Sequence, residues 1–143
     1  LKEKLGVILW QFPPDFKADA EKLRKFIEVL SQYKAKNTFE FRDKSWINKK
    51  IISLLGKNNI SMCLADQPEF LCDLPATADF VYIRRHSADG KYVSCYNKDQ
   101  LKIDAKLVNK FMKQGKDVFM YFNNDALGNA PKNAMELRKI LKK

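Results

Sequence analysis

The residues of this sequence that can do chemistry recur at one kind of place, the end of a short apolar run. The run at residues 118–122, "VFMYF", leads directly into polar residues and a glycine-containing loop. Other runs end in the same way, and together the run ends supply Gln11, Glu40, Arg42, Asp66, Arg84, His86, Asn123, Asn124 and Asp125. These residue types provide anion-binding groups, acids or bases near neutral pH, and amides that orient a substrate.

Two of these residues carry the sharpest chemical expectation. The planar guanidinium of Arg84 suits bidentate capture of a phosphate or carboxylate, so Arg84 is the strongest anion-binding candidate. His86 is the only histidine of the chain, and its imidazole can act as an acid, a base or a ligand. A lone histidine is at least as often a satisfied hydrogen-bonding group.

Other candidates have structural alternatives. Glu40 and Arg42 either contact a ligand or form a buried ion pair, and Asn124 and Asp125 either orient a substrate or cap the loop and the last helix. We predict catalytic roles for Glu40, His86 and Asp125. The predicted ligand-binding residues are Gln11, Arg42, Asp66, Arg84, Asn123 and Asn124.

The sequence gives no basis for a metal or a cofactor. It contains neither HExxH nor CxxC, no phosphate-binding glycine loop and no serine nucleophile elbow. Its three cysteines, Cys63, Cys72 and Cys95, are best interpreted as free, partly buried thiols of a reducing compartment. We therefore assign no metal and leave the cofactor unknown.

Strand-like and helix-like segments largely alternate along the chain. The apolar runs predict five buried strands, at Gly6–Phe12, Thr38–Arg42, Ser61–Asp66, Phe80–His86 and Val118–Asn123. Amphipathic helices lie between most of them, which predicts right-handed crossovers and a parallel sheet. The exception is residues 67–79, where we expect a structured loop near the site.

The predicted helices have recognisable start and stop signals. Ser45 is the expected N-cap of the second helix and Gly56 its left-handed stop. Gly115 is expected to end the third helix, and Pro131 to occupy the first turn of the last. The expected apolar faces are Leu23, Phe26, Ile27 and Leu30; Ile47, Ile51, Leu54 and Leu55; Leu101, Ala105, Val108 and Met112; and Ala134, Leu137 and Leu141.

Two architectures fit this pattern, an open doubly wound sheet and a section of a (β/α)8 barrel. Five strands cannot close a barrel, which needs eight strands and typically about 250 residues. The chain also begins without an initiator methionine, so we expect a section of a longer protein.

Strand alternation places Phe39 and Phe41 on one face, and Glu40 and Arg42 on the other.

Composition indicates a globular intracellular protein. Of 143 residues, 45% are hydrophobic, and no apolar run reaches the roughly 18 residues that span a membrane. We expect a cytoplasmic protein without a membrane partner. The net charge is +10, and 22 of the 27 basic residues are lysines spread along the chain, so the charge indicates either simple solvation or a polyanion-binding surface.

Four ordered motifs, "LGVILWQFPPDF", "FEFRDKSW", "ADFVYIRRH" and "YFNNDALGNAPKNAMEL", make the chain resemble the domain of unknown function 72 family, the YecE-like proteins. The resemblance implies a TIM-type barrel, of which residues 1–143 would be the carboxyl-terminal part and a single domain. It departs from the family pattern at Arg85, where an apolar residue is usual, and at Ser87, where glycine is common. The family pattern includes Gln11, Pro13, Glu40, Arg42, Trp46, Asp66, Arg84, His86, Tyr121, Asn123, Asn124, Asp125, Ala130, Asn133 and Ala134.

The resemblance supplies no activity, so three functions remain open. The first is an enzyme, a hydrolase or lyase, acting on a small phosphorylated or polar ligand. The second is a nucleic-acid-binding barrel without catalysis, with Tyr82, Trp10 or Tyr92 stacking on bases. The third is a truncated barrel without activity. Strands left at the ends of an incomplete barrel also predict self-association.

Overall fold

The computed structural model describes residues 4–66, 74–87 and 94–142. Helices follow most of the strands, and every strand pairing in these residues is parallel, which confirms the α/β class. The chain divides into two compact units, residues 1–63 with 73–79 and residues 64–72 with 80–143. Each unit has its own three-stranded sheet.

The first unit contains three strands and two helices. Strand β1 is Val7–Gln11, helix α1 is Ala20–Leu30, β2 is Lys36–Glu40, α2 is Lys49–Lys57 and β3 is Ser61–Met62. The strand order is β1-β2-β3, and Gln11 lies opposite Glu40 at the carboxyl ends of the first pair. A short 3-10 turn at Lys44–Trp46 connects β2 to α2.

The core of the first unit lies between its sheet and the buried faces of α1 and α2. Phe39 is fully buried and packs with the α1 residue Phe26 at a centroid distance of 5.7 Å. Phe41 stacks on Trp46 at 4.6 Å, and the Trp46 indole donates to the Phe16 carbonyl. The aromatic side chains of β2 and its extension therefore face the helices, as strand alternation predicted.

The second unit repeats the pattern. Strand β4 is Leu64–Ala65, β5 is Phe80–Arg85, helix α3 is Lys98–Lys113, β6 is Asp117–Phe122 and α4 is Asn129–Leu141. The strand order is β4-β5-β6, and a 3-10 turn at Ala126–Gly128 precedes α4. Helix α3 begins with a capping box between Asn97 and Gln100. Within the described ranges, no helix combines the length and apolarity that crossing a bilayer requires.

Three local expectations differ from the structure. The third predicted strand forms two short strands, β3 and β4, that are separated by Cys63. The backbone up to Cys63 hydrogen-bonds to β2, whereas the backbone from Leu64 onward pairs with β5. Asn48, not Ser45, caps α2, since the Ser45 hydroxyl accepts a hydrogen bond from the Ala18 N–H. The predicted stop at Gly56 was also wrong.

Gly56 lies inside α2, and the left-handed residue after that helix is Asn59, with φ of 51°. The other two signals are confirmed: Gly115 follows α3 with φ of 74°, and Pro131 lies in the first turn of α4. The loop predicted at residues 67–79 lies partly outside the described residues.

The predicted apolar faces of α3 and α4 are confirmed at Leu101, Ala105, Val108 and Leu137 and differ from the structure at other positions. The buried face of α4 contains Asn133 where Ala134 was expected, because Asn133 forms hydrogen bonds inside the unit. In α3 the buried residue is Phe111, whereas Met112 is 57% exposed. Buried polar residues interrupt the apolar period of both helices, and hydropathy alone does not indicate them.

Candidate functional site

The carboxyl end of the first sheet carries a polar cluster of Gln11, Glu40 and Arg42. Arg42 Nε and Nη2 donate to Glu40 Oε1 at 3.3 and 3.2 Å, and Nη2 also donates to Gln11 Oε1 at 3.2 Å. Glu40 is fully buried, whereas the Arg42 side chain is 21% exposed. The buried carboxylate is therefore compensated by a guanidinium that stays accessible.

This cluster shows that the ion pair of Glu40 and Arg42 forms. Because Phe39 and Phe41 pack toward α1 and the 3-10 turn, Glu40 and Arg42 lie on the opposite face of the sheet. Their contact with a ligand remains a prediction. An ion pair and a ligand site are compatible, since a guanidinium has five N–H donors.

The carboxyl end of the second sheet carries Arg84 beside Asn123. Arg84 Nη2 donates to Asn123 Oδ1 at 3.1 Å, and both residues are partly buried. Strand register places Arg84 opposite Tyr121, so the two share one face with Asn123. In the described part of the chain the Asn123 side-chain nitrogen donates no hydrogen bond. A guanidinium and an amide donor thus lie together at this strand end.

An aromatic pair adjoins Arg84 on the same face. The rings of Tyr82 and Tyr121 stack at a centroid distance of 4.9 Å. Tyr82 is 6% exposed and Tyr121 is 47% exposed, so Tyr121 presents the accessible ring. Trp10, proposed for base stacking, instead bonds through its indole to Asn37 Oδ1. Tyr92 lies outside the described residues.

Asp66 connects the end of β4 to two other segments of the second unit. Its Oδ1 accepts the backbone N–H of His86 at 2.7 Å, and its Oδ2 accepts a hydrogen bond from the Tyr96 hydroxyl. Burial, together with the hydrogen bond to Asp66, raises the pKa of the Tyr96 hydroxyl, so Tyr96 remains a donor at physiological pH. The His86 side chain is buried.

Asn133 of α4 holds Tyr96 in place. Its Oδ1 accepts the Tyr96 N–H at 3.1 Å, and its Nδ2 donates to the Tyr96 carbonyl at 2.9 Å. Asn124 Nδ2 donates to Asn133 Oδ1 at 3.0 Å and to the Ser94 carbonyl at 2.9 Å. Asn124 and Asn133 are both fully buried, so a continuous network joins them through Tyr96 to Asp66.

Asn124 therefore holds the segment before α3 through its hydrogen bond to the Ser94 carbonyl. Asp125, the next residue, lies outside this hydrogen-bond network. Asp125 is exposed, and its side chain makes no capping hydrogen bond to the following 3-10 turn. Only its backbone carbonyl contributes there, accepting the Gly128 N–H at 3.1 Å. Among the described residues, the Oδ1 of Asn124 is buried without a hydrogen-bond partner.

Arg85, the departure from the family pattern, pairs with Asp104 of α3. Arg85 Nε donates to both Asp104 oxygens at 3.0 and 3.2 Å, and Nη2 donates to Oδ1 at 2.6 Å. Burial opposes the charge of Arg85, but the hydrogen bonds and charge of Asp104 outweigh it and raise the pKa of the guanidinium. The charge in strand β5 is therefore accommodated on the helix-facing side.

Two residues that contact the predicted strand-end residues, Tyr96 and Asp104, were missed by the sequence analysis. An available signal for Asp104 was an acid on the otherwise apolar face of α3, four residues before Val108 and one before Ala105. Tyr96 carries no comparable signal, because its position depends on contacts with Asp66 and Asn133 from distant segments. Ser87, the second departure, is buried.

Metal-binding chemistry finds no support in this part of the chain. No group of three or more histidine, cysteine, aspartate or glutamate side chains in the described residues could hold a metal ion. Cys63 is a buried free thiol and Cys95 an exposed one, while Cys72 lies outside the described residues.

The arrangement of these motifs along the whole chain matches one known family. The family model "Protein of unknown function DUF72" matches residues 1–143. The chain belongs to the DUF72 family. It is 26% identical to the UPF0759 protein YunF of Bacillus subtilis (strain 168) in an alignment that is 164 residues long. The match covers 96% of this chain and 58% of that protein.

Solved structures of the family have the same fold. A DUF72 family protein from Thermotoga maritima MSB8 superposes with a TM-score of 0.84 at 26% identity, over 99% of this chain and 60% of that one. A DUF72 family protein from Enterococcus faecalis V583 gives 0.85 at 22% identity, over 99% and 60%. The chain thus spans about 60% of the length of the relatives that it matches.

Proposed function

We propose that this chain binds a small phosphate-bearing ligand at the carboxyl ends of its strands, with Arg84 as the anion-binding group. The observation that carries the proposal is the partly buried Arg84 guanidinium next to the Asn123 carboxamide at the end of β5. Charge-assisted hydrogen bonds from a planar guanidinium are the strongest contacts available to a phosphate. The carboxyl ends of parallel strands are also the usual ligand sites of α/β folds.

The finer proposal is that the chain is part of a TIM-type barrel that acts as a hydrolase or lyase. Two three-stranded parallel sheets, each with polar residues at its carboxyl end, support this architecture. Catalysis would use Glu40, His86 and Asp125. Gln11, Arg42, Asp66, Asn123 and Asn124 would contact or orient the ligand. We propose a cytoplasmic location, supported by the free thiols of Cys63 and Cys95.

The anion-binding role is tested by calorimetric titration with inorganic pyrophosphate. Arg84→Ala should weaken binding by about tenfold or more, because a charged hydrogen bond contributes about 1.5–3 kcal/mol. Arg138→Ala, which removes an exposed arginine from α4, is the matched control and should leave the affinity unchanged. Equal affinities of wild type and Arg84→Ala would contradict the proposal.

The second candidate function is nucleic-acid binding without catalysis. It is favoured by the net charge of +10 and by the exposed ring of Tyr121 beside Arg84. Stacking of a base on an aromatic ring contributes about 1–3 kcal/mol. Fluorescence anisotropy with a single-stranded oligonucleotide at two salt concentrations should then show weaker binding for Tyr121→Leu. Tyr33→Leu, at another exposed tyrosine, is the control.

A further inference from the structure

A groove between α3 and α4 differs in chemistry from the strand ends. It lies within the second unit, on the helix side of the sheet, and has a volume of about 940 Å³. Among the described residues that line it, four are lysines and Glu136 is the one acid. The lining therefore has a net charge of +3. The four lysines are Lys98, Lys102, Lys132 and Lys139.

The lysines of the groove differ in their ion pairing. Lys102 forms an ion pair with Asp99 at 2.8 Å. Within the residues that the structure describes, no carboxylate forms an ion pair with Lys98, Lys132 or Lys139. The described lining therefore keeps an excess of positive charge, although Asp99 also interacts electrostatically with Lys98.

Two of the lysines also occupy unfavourable positions on their helices. Lys98 is the first residue of α3, and Lys132 lies in the first turn of α4. The amino end of a helix has a partial positive charge, so a cation there is disfavoured and an anion is stabilised. A bound anion would relieve both conflicts at once.

The groove is not purely polar. Ile140 is partly exposed and Cys95 is exposed, and both line the groove together with the buried residues Leu101 and Tyr96. Its size falls in the range of small-molecule sites, about 300–1,000 Å³, which are typically apolar with a few polar anchors. A bare inorganic ion would leave the apolar wall in contact with water.

We propose that this groove is a second binding site, for an organic anion that combines a phosphate, sulfonate or carboxylate with an apolar body. The anion lies against Lys98 and Lys132, and the apolar body covers Ile140 and Cys95. The site is separate from the strand-end site at Arg84, because α3 and α4 pack on the opposite face of β5. The Arg85–Asp104 pair and the contacts of Phe122 with Tyr96 define that face.

Anilinonaphthalene sulfonate is a suitable probe, because it joins an anionic group to an apolar ring system and fluoresces when bound. We expect saturable binding to the wild-type chain with one site. The double variant Lys98→Glu/Lys132→Glu changes the charge of the lining from +3 to −1, and its affinity should fall by about tenfold. Both substitutions place an acid in the first turn of a helix, so folding should be retained, which circular dichroism verifies.

The matched control is Lys106→Glu, an exposed position on α3 that does not line the groove. This control should bind the probe as the wild type does. An equal loss of affinity in Lys106→Glu, or no loss in the double variant, would overturn the proposal. Displacement of the probe by an equal concentration of inorganic phosphate would refute the requirement for an apolar body.

Cys95 gives an independent readout of occupancy. It is exposed and lines the groove, so bound probe should slow its alkylation by iodoacetamide, measured by peptide mapping. Protection should disappear in Lys98→Glu/Lys132→Glu and persist in Lys106→Glu. Unchanged alkylation of Cys95 at saturating probe would place the probe elsewhere and overturn the assignment.

Discussion

Removing one partner of the Arg85–Asp104 pair should strongly destabilise the chain. The two side chains are 12% and 8% exposed and share three hydrogen bonds of 2.6–3.2 Å. Asp104→Leu leaves the guanidinium buried without its carboxylate. Loss of one partner of a buried ion pair costs about 3–5 kcal/mol, and the residual exposure of Arg85 places the expected loss near the lower value.

The double variant Arg85→Leu/Asp104→Leu should recover most of that loss. It replaces both charges with apolar groups, and such replacements are often neutral or stabilising. Arg85 Nη1 also donates to the Leu64 carbonyl at 3.3 Å, so the double variant loses one further hydrogen bond. We expect it within about 1 kcal/mol of the wild type, since that bond contributes about 0.5–1.5 kcal/mol.

Urea denaturation followed by far-ultraviolet circular dichroism measures these values. Tryptophan fluorescence would not report directly on this pair, because Trp10 and Trp46 both lie in the first unit. Asp99→Leu, at an exposed acid on the same helix, is the control and should leave the free energy of unfolding nearly unchanged. The reasoning is refuted if Asp104→Leu is as stable as the wild type, or if the double variant is less stable than both single variants.

Three further predictions concern other parts of the chain. Asn133→Leu should lower the free energy of unfolding by about 3 kcal/mol, measured in urea, because it leaves the Tyr96 N–H and carbonyl buried without partners. Hydrogen bonds from Lys17 and Ser45 lower the pKa of Asp43 from 3.8 to about 2, so the associated stability is present above pH 3.8 and lost as the pH falls through 2. Lys17→Gln should raise that pKa toward 3.8 in a carboxyl NMR titration. Finally, each sheet in the described part of the chain ends in edge strands, β1 and β3 in the first and β4 and β6 in the second, so light scattering should detect self-association that grows with concentration.

Much of the fold was predictable because it depends on local periodicity. The apolar runs and amphipathic segments located the strands and helices of the described residues to within a few positions. Alternation correctly predicted that Phe39 and Phe41 share one face, and the structure shows that this face packs against the helices. Side-chain direction in a strand has a period of two, so the sequence alone determines which residues share a face.

The details that failed depend on partners far apart in the chain. Ser45 has the right chemistry for an N-cap, but its hydroxyl is taken by the Ala18 N–H, 27 residues away, and Asn48 caps α2 instead. Likewise, hydropathy placed Ala134 on the buried face of α4. Asn133 occupies that position because two backbone groups of Tyr96 satisfy its amide.

The predictions for the candidate site divide in the same way, into those that depend on local sequence and those that depend on distant partners. The sequence by itself determined which polar residues end the strands, because strand ends follow from the apolar runs, while the anion-binding role of Arg84 stays a prediction. Only the tertiary structure decided that Asp66 accepts a hydrogen bond from the Tyr96 hydroxyl and that Asp104 forms an ion pair with Arg85. Hydrogen bonds and ion pairs are satisfied in space, and a buried polar group finds its partner across tens of residues of sequence.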